Sequence, residues 1–173
     1  MATKTQLAFA KQVLYAALAA KTEINPSFIT AQAILETGWG KRIIGKANLF
    51  GITKGSQWDG PIVMVKTHEY FKTPNQNFKA PDRILSVCKV KGKDLWYYTV
   101  ERAFKDFETI GDCLKEHERL FQKPGYKDAW PYRNDPFEFA RRICDGVGCK
   151  YATDPTYLAT ITSLIKTVQS KCV

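Results

Sequence analysis

The sequence predicts an α+β fold, mainly helical, in which a small antiparallel sheet interrupts two runs of helices. Apolar residues recur at helical spacing from Thr5 to Glu36 and again from Ile110 onward. Between these runs, Ile62–Phe71, Ile84–Lys91 and Leu95–Val100 are rich in β-branched and aromatic residues, the composition of strands. Helices, then strands, then helices is an order without alternating βα units, which excludes a doubly wound parallel sheet. With 173 residues, 45% of them hydrophobic, the chain suffices for one domain with its own core. Residues 5–57 and 105–173 are expected to form a helical lobe and residues 58–104 a β-lobe.

Each element has a local reason. Leu7, Ala10, Leu14, Ala17 and Leu18 form the apolar stripe of a first helix over about Thr5–Lys21. Asn25-Pro26 restarts the chain, because Asn caps a helix N-terminus and Pro suits its first position. Phe28, Ala31, Gln32 and Leu35 then share one face until Gly38, a left-handed stop. From Trp39 to Gln57, Gly and Lys with isolated apolar residues read as loop. Lys91-Gly92-Lys93-Asp94 is a hairpin turn between the last two strands. Ile110, Leu114, His117 and Phe121 return to helical spacing, ended by Pro124-Gly125. Asp135-Pro136 starts a helix that runs to about Cys144, with Gly146 beyond it. Asp154-Pro155 starts the last helix, with Leu158, Ile161, Ile165 and Val168 inward.

Composition narrows the function. Lys and Arg number 26 against 17 Asp and Glu, a net charge of +9, so the surface favours an anionic partner. The longest apolar stretch, Val13–Ala20, falls far short of the roughly 20 residues of a membrane-spanning helix. The basic residues are dispersed and no nucleic-acid module is visible, so nucleic acid is not the expected partner. The N-terminal residues show no Sec-type signal pattern. Five cysteines and two histidines show no CxxC or HExxH spacing, so neither a metal nor another cofactor is expected. Cys144 and Cys149 are either thiols or the ends of a short disulfide loop, and the thiol reading is the one carried forward.

Glu36 stands out on its position alone. It follows Ile34 and Leu35, precedes Trp39 and sits at the negative end of a helix dipole. Desolvation and the dipole would both favour the protonated carboxyl of a general acid; the alternative is a glutamate facing solvent. Glycoside hydrolysis needs such an acid and usually a second carboxylate, for which Glu69 and Glu101 are available.

Taken together, Ala33-Ile34-Leu35-Glu36-Thr37-Gly38-Trp39-Gly40, Asn48-Leu49-Phe50-Gly51-Ile52, His68-Glu69-Tyr70 and Tyr151-Ala152-Thr153-Asp154-Pro155 resemble the successive motifs of glycoside hydrolase family 73, the endo-β-N-acetylglucosaminidases. The resemblance runs in order from about Asn25 to Val168. It implies a lysozyme-like helical lobe with a small β-lobe, acting on the bond between N-acetylglucosamine and N-acetylmuramic acid in peptidoglycan. It also implies Glu36 as general acid, Glu69 as the second carboxylate on a mobile β-lobe and Tyr151 near the catalytic centre. Two departures concern the shape of the cleft. Cys149-Lys150 precedes Tyr151 where the family often has Gly, and Phe71–Arg83 is longer than a usual hairpin link.

Asn48, Trp39 and Tyr70 are the expected substrate-binding residues, with Leu49 and Phe50 packing under the cleft. Among Trp39, Trp58, Trp96 and Trp130, at most one or two are expected to stack on sugar. His117 is expected as a hydrogen-bonded core residue, and the Lys89, Lys91 and Lys93 alternation as the solvated face of an edge strand. The expected partner is the peptidoglycan glycan strand, met by a monomer at the bacterial wall, in the periplasm or outside the cell. The competing functions are a lytic transglycosylase on a related fold and a non-catalytic wall-binding module.

Overall fold

The computed structural model describes residues 2–145, 151–152 and 154–173. In chain order the elements are α1 (Lys4–Ala19), α2 (Pro26–Thr37), β1 (Ile62–Phe71), β2 (Arg83–Lys89), β3 (Trp96–Lys105), α3 (Ile110–Phe121), α4 (Pro136–Asp145) and α5 (Tyr157–Lys171). Short 3-10 turns follow α3 at Pro124–Tyr126 and Trp130–Tyr132. The architecture is the expected one, mainly helical with a small antiparallel sheet.

The hub is α2. Asn25 Oδ1 accepts from the Ser27 backbone N–H at 2.9 Å, Pro26 occupies the first turn, and nine of the twelve residues of the helix are buried. Helices α1, α4 and α5 pack around it. Phe28 meets the edges of Phe121 and Phe139, with ring centroids 6.2 and 4.9 Å apart. A helix buried on so many sides is fixed by packing rather than by intrinsic propensity.

Three elements depart from their expected faces or ends. On α1 the inward residues are Ala10, Val13, Leu14 and Ala17, while Leu18 is 56% exposed. Val13 and Leu14 already fill the stripe that faces α2, so Leu18 falls outside it. Strand β3 continues to Lys105, five residues past the expected end at Val100, because its far half pairs with the start of β1. Helix α5 begins at Tyr157, since Asp154 Oδ1 accepts from the Thr156 backbone N–H at 2.8 Å and holds that stretch as a turn. This delay puts Tyr157 into the core. The expected Gly146 stop after α4 lies outside the described residues, as does any pairing that involves Cys149.

The sheet has the order β1-β3-β2 with both pairs antiparallel, and Val90 N–H to Leu95 O at 2.9 Å closes the predicted hairpin. Lys89 ends β2, which is an edge strand, and Lys91 and Lys93 lie in the turn. The long link between β1 and β2 folds back over β3. Tyr98 donates its hydroxyl to Pro74 O, Phe78 lies against Phe71 and Tyr98, and Asp82 Oδ1 accepts from the Ala103 backbone N–H at 2.7 Å.

The two buried hydrophobic clusters draw on the helices, the 47–58 loop, Ile24, Phe107, Tyr126 and Ala129, while the buried Tyr98, Val100, Ala103 and Phe104 of β3 lie outside them. Backbone bonds at the base of β3 join the lobes: Lys54 N–H to Ala103 O at 2.8 Å and Lys105 N–H to Ile52 O at 3.0 Å.

Candidate active site

The end of α2 is built to stop sharply. Gly38, Trp39 and Gly40 all have left-handed backbone angles, with φ of 58°, 64° and 80°. A Cβ on Gly40 would lie 2.6 Å from the Phe9 ring, so this position takes only glycine. The Thr37 hydroxyl donates to Ala33 O at 2.6 Å and accepts from the Gly40 N–H at 2.8 Å, and the Trp39 N–H reaches back to Ile34 O at 2.9 Å. These bonds satisfy groups that a helix end would otherwise leave open.

Glu36 stands in the last turn of this helix and is exposed. Of the apolar neighbours, Ile34 is turned away into the core, while Leu35 is half-buried and lines the cleft beside the exposed carboxylate. Glu36 lines a 390 Å³ cleft with Leu35, Arg42, Ile44, Leu49 and Phe50. Tyr151 donates its hydroxyl to Glu36 Oε1 at 3.3 Å. Burial, and then the neighbouring Tyr157 and Glu36, push the Tyr151 phenol pKa far up, so it remains a donor.

A polar chain underlies this pair. Gln32 precedes Glu36 by one turn and shares its helix face. Its amide nitrogen donates to Tyr157 Oη at 3.0 Å, and its amide oxygen accepts from His117 Nε2 at 3.0 Å. Burial lowers the His117 pKa to about 3, so the ring is neutral, and it stacks on Phe50 with centroids 3.6 Å apart. His117 is thus the hydrogen-bonded core residue expected, and Phe50 is packed as expected.

Asn48 is buried at the edge of the cleft with its amide engaged on main chain. It donates to Ile52 O and Lys105 O, each at 2.9 Å, and accepts from the Ile52 N–H at 3.0 Å. Asn48 therefore ties the cleft loop to the base of β3. Trp39 packs beside Ala10, Leu14, Ile34, Val168 and Cys172. Trp58 donates Nε1 to Pro61 O at 2.9 Å and carries the Lys105 ammonium 4.6 Å above its ring.

On the β-lobe, Glu69 lies opposite Tyr98 and Glu101 lies opposite Lys66. Because side chains alternate along a strand, Glu69 and Glu101 project from opposite faces of the sheet. Arg102 Nη1 meets Glu69 Oε1 at 3.1 Å and its Nε meets Asp82 Oδ2 at 3.3 Å. Glu101 is held by Arg83 Nε at 2.5 Å. Tyr70, 61% exposed, is on the face of Glu101, not of Glu69, with its ring 5.1 Å from that of Tyr97.

The fold therefore joins Glu36 to Tyr151 directly and brings Asn48 to the same cleft, while Glu69 is engaged with Arg102 on the sheet. Sequence reasoning did not single out Gln32, Tyr157, Arg42 or Arg102. A glutamine among buried apolar residues, one turn before the candidate acid, was the available signal for Gln32. Among the described residues no group of three or more His, Cys, Asp and Glu side chains gathers as a metal site.

The model of the mannosyl-glycoprotein endo-beta-N-acetylglucosaminidase family matches residues 12–170, nearly the whole chain. The chain belongs to this family of glycoside hydrolases. The peptidoglycan hydrolase FlgJ of Vibrio parahaemolyticus is 30% identical over 164 residues, covering 90% of this chain and 45% of that protein. A probable N-acetylmuramidase of Lactococcus lactis is 30% identical over 169 residues, covering 95% of this chain and 34% of that protein. The chain thus spans less than half the length of these relatives. The truncated glycoside hydrolase domain of Salmonella typhimurium FlgJ superposes with a TM-score of 0.68 at 23% identity, covering 95% of this chain and 98% of that one, so the fold is shared.

Proposed function

We propose that this domain hydrolyses the glycan strands of peptidoglycan at the β-1,4 bond between N-acetylglucosamine and N-acetylmuramic acid, with Glu36 as general acid. The observation that carries this is the Glu36–Tyr151 pair at the open end of a buried helix. Tyr151 occupies Oε1, and among the described residues no hydrogen bond engages the other carboxyl oxygen, which hands its proton to the glycosidic oxygen. As the C1–O bond breaks, its electron pair goes to that oxygen and positive charge develops on the sugar ring.

Glu69 stabilises that charge or orients the group that attacks it, water or the sugar's own N-acetyl oxygen. It is not a covalent nucleophile: it sits on the other lobe with Arg102 against one oxygen. Water then completes the reaction, giving one proton to the carboxylate that lost its own. The domain works as a monomer at the wall, in the periplasm or outside the cell.

The name of the Lactococcus relative favours a second bond, the one on the far side of N-acetylmuramic acid. Digestion of purified peptidoglycan followed by mass spectrometry of the fragments separates the readings. New N-acetylglucosamine reducing ends support the proposal. N-acetylmuramic acid ends favour the second bond, anhydro ends a transglycosylase, and no new ends a binding module.

A further inference from the structure

The 390 Å³ cleft at Glu36 shares Phe50 and Gly51 with a neighbouring groove of 310 Å³, which is also lined by Tyr151, the hydrogen-bond partner of Glu36. The walls of this extension include Thr53, Glu116, Arg119, Leu120 and Lys123. Its one acid is already shared by two cations. Glu116 Oε1 meets Lys105 Nζ at 2.6 Å, and Glu116 Oε2 meets Arg119 Nη1 at 2.9 Å. Each oxygen of the carboxylate therefore has a cation of its own. Lys123 forms no ion pair among the described residues, and Arg119 has further N–H donors to offer. The groove thus carries surplus positive charge, beside an apolar floor of Phe50 and Leu120.

We propose that this extension is a subsite for the acidic peptide that peptidoglycan carries on its sugars, with Lys123 and Arg119 binding its carboxylates. The inference rests on the cleft reading above and adds to it the form of substrate that is preferred. The shared wall with the Glu36 cleft decides the occupant: whatever fills the extension must be attached to the glycan close to the bond being cut. The peptide branches from the glycan at that distance, and it brings both apolar side chains and carboxylates to a groove that offers both. Arg119 is suited to a carboxylate because its fork can bind one while still holding Glu116.

The test compares two forms of one substrate, peptidoglycan fragments with their peptides and the same fragments stripped of them by an amidase. Wild-type kcat/KM should be higher on the peptide-bearing form. In the Arg119→Ala Lys123→Ala double variant the ratio of the two values should fall about tenfold, through KM on the peptide-bearing form, which corresponds to about 1.4 kcal/mol. A ratio equal to that of wild type, with both values lowered together or neither changed, overturns the proposal. If the double variant does not fold, Lys123→Ala, which removes no ion pair, carries the same comparison with a smaller expected fall. Failure of the wild type to cut either form sinks the cleft reading instead, so the two failures are distinguishable.

Discussion

Helix α2 and strand β2 represent opposite ways of placing residues in the same chain. Nine of twelve α2 residues are buried, whereas all seven of β2 are exposed. Glu36, the proposed acid, is thus carried by the best-packed element, while Glu69 sits on β1, whose residues are exposed or half-buried beside a β3 that buries Tyr98, Val100 and Ala103. Burial around α2 fixes Glu36 within the helical lobe. On the β-lobe, Glu69 depends on Arg102 and Asp82, contacts that are partly exposed and screened by water.

The comparison breaks if the two elements respond alike to truncation. Phe28→Ala should cost about 3–5 kcal/mol, by leaving a hole between Phe121 and Phe139, whereas Val87→Ala on β2 should lie within about 0.5 kcal/mol of wild type. Chemical denaturation of both variants checks this.

Glu69→Gln should leave stability near that of wild type, and on the role proposed for Glu69, steadying charge as it develops, kcat should drop about a hundredfold. Glu101→Gln, on the opposite face of the sheet, should leave kcat nearly unchanged. A larger effect at Glu101 would reverse the assignment of the two faces.

His117 makes the stability of the fold depend on pH. Its pKa falls from 6.5 to about 3 on folding, because burial penalises the charged ring. The unfolded chain binds a proton that the folded chain refuses. Stability should therefore fall as pH drops from about 6.5 toward 3, by up to about 1.4 kcal/mol per pH unit, and this contribution should level off below that. The His117→Asn variant should lack that part of the slope in unfolding curves taken across the same range.

Tyr151→Phe keeps the ring packed against Phe121 and removes only the bond to Glu36, so kcat should fall roughly tenfold, as for one lost hydrogen bond. The smallest effect concerns the +9 charge. Added salt should slow digestion of intact wall while hardly changing turnover of a small neutral glycan.

Much of this was legible in the sequence where local chemistry decides. Asn25-Pro26 and Gly38 bound α2 as their side chains and backbone freedom dictate, and Lys91-Gly92-Lys93-Asp94 turns the hairpin. What was not legible depends on contacts distant in sequence. The exposure of Glu36 follows from α2 turning Ile34 inward, which no spacing rule gives. The split of Glu69 and Tyr70 across the sheet follows from alternation, but which face does the work depends on the partner strand. Tyr157 became visible only once the Asp154 turn delayed α5, and Arg102 only once the register set it beside Glu69.

The most direct test of the central claim is the turnover of purified peptidoglycan by Glu36→Gln, with its circular dichroism and unfolding midpoint matched to wild type. The exposed site predicts an intact fold and a loss of about 10²–10⁴-fold in kcat, the contribution of a positioned acid. Digestion at the wild-type rate by the folded variant would contradict the account.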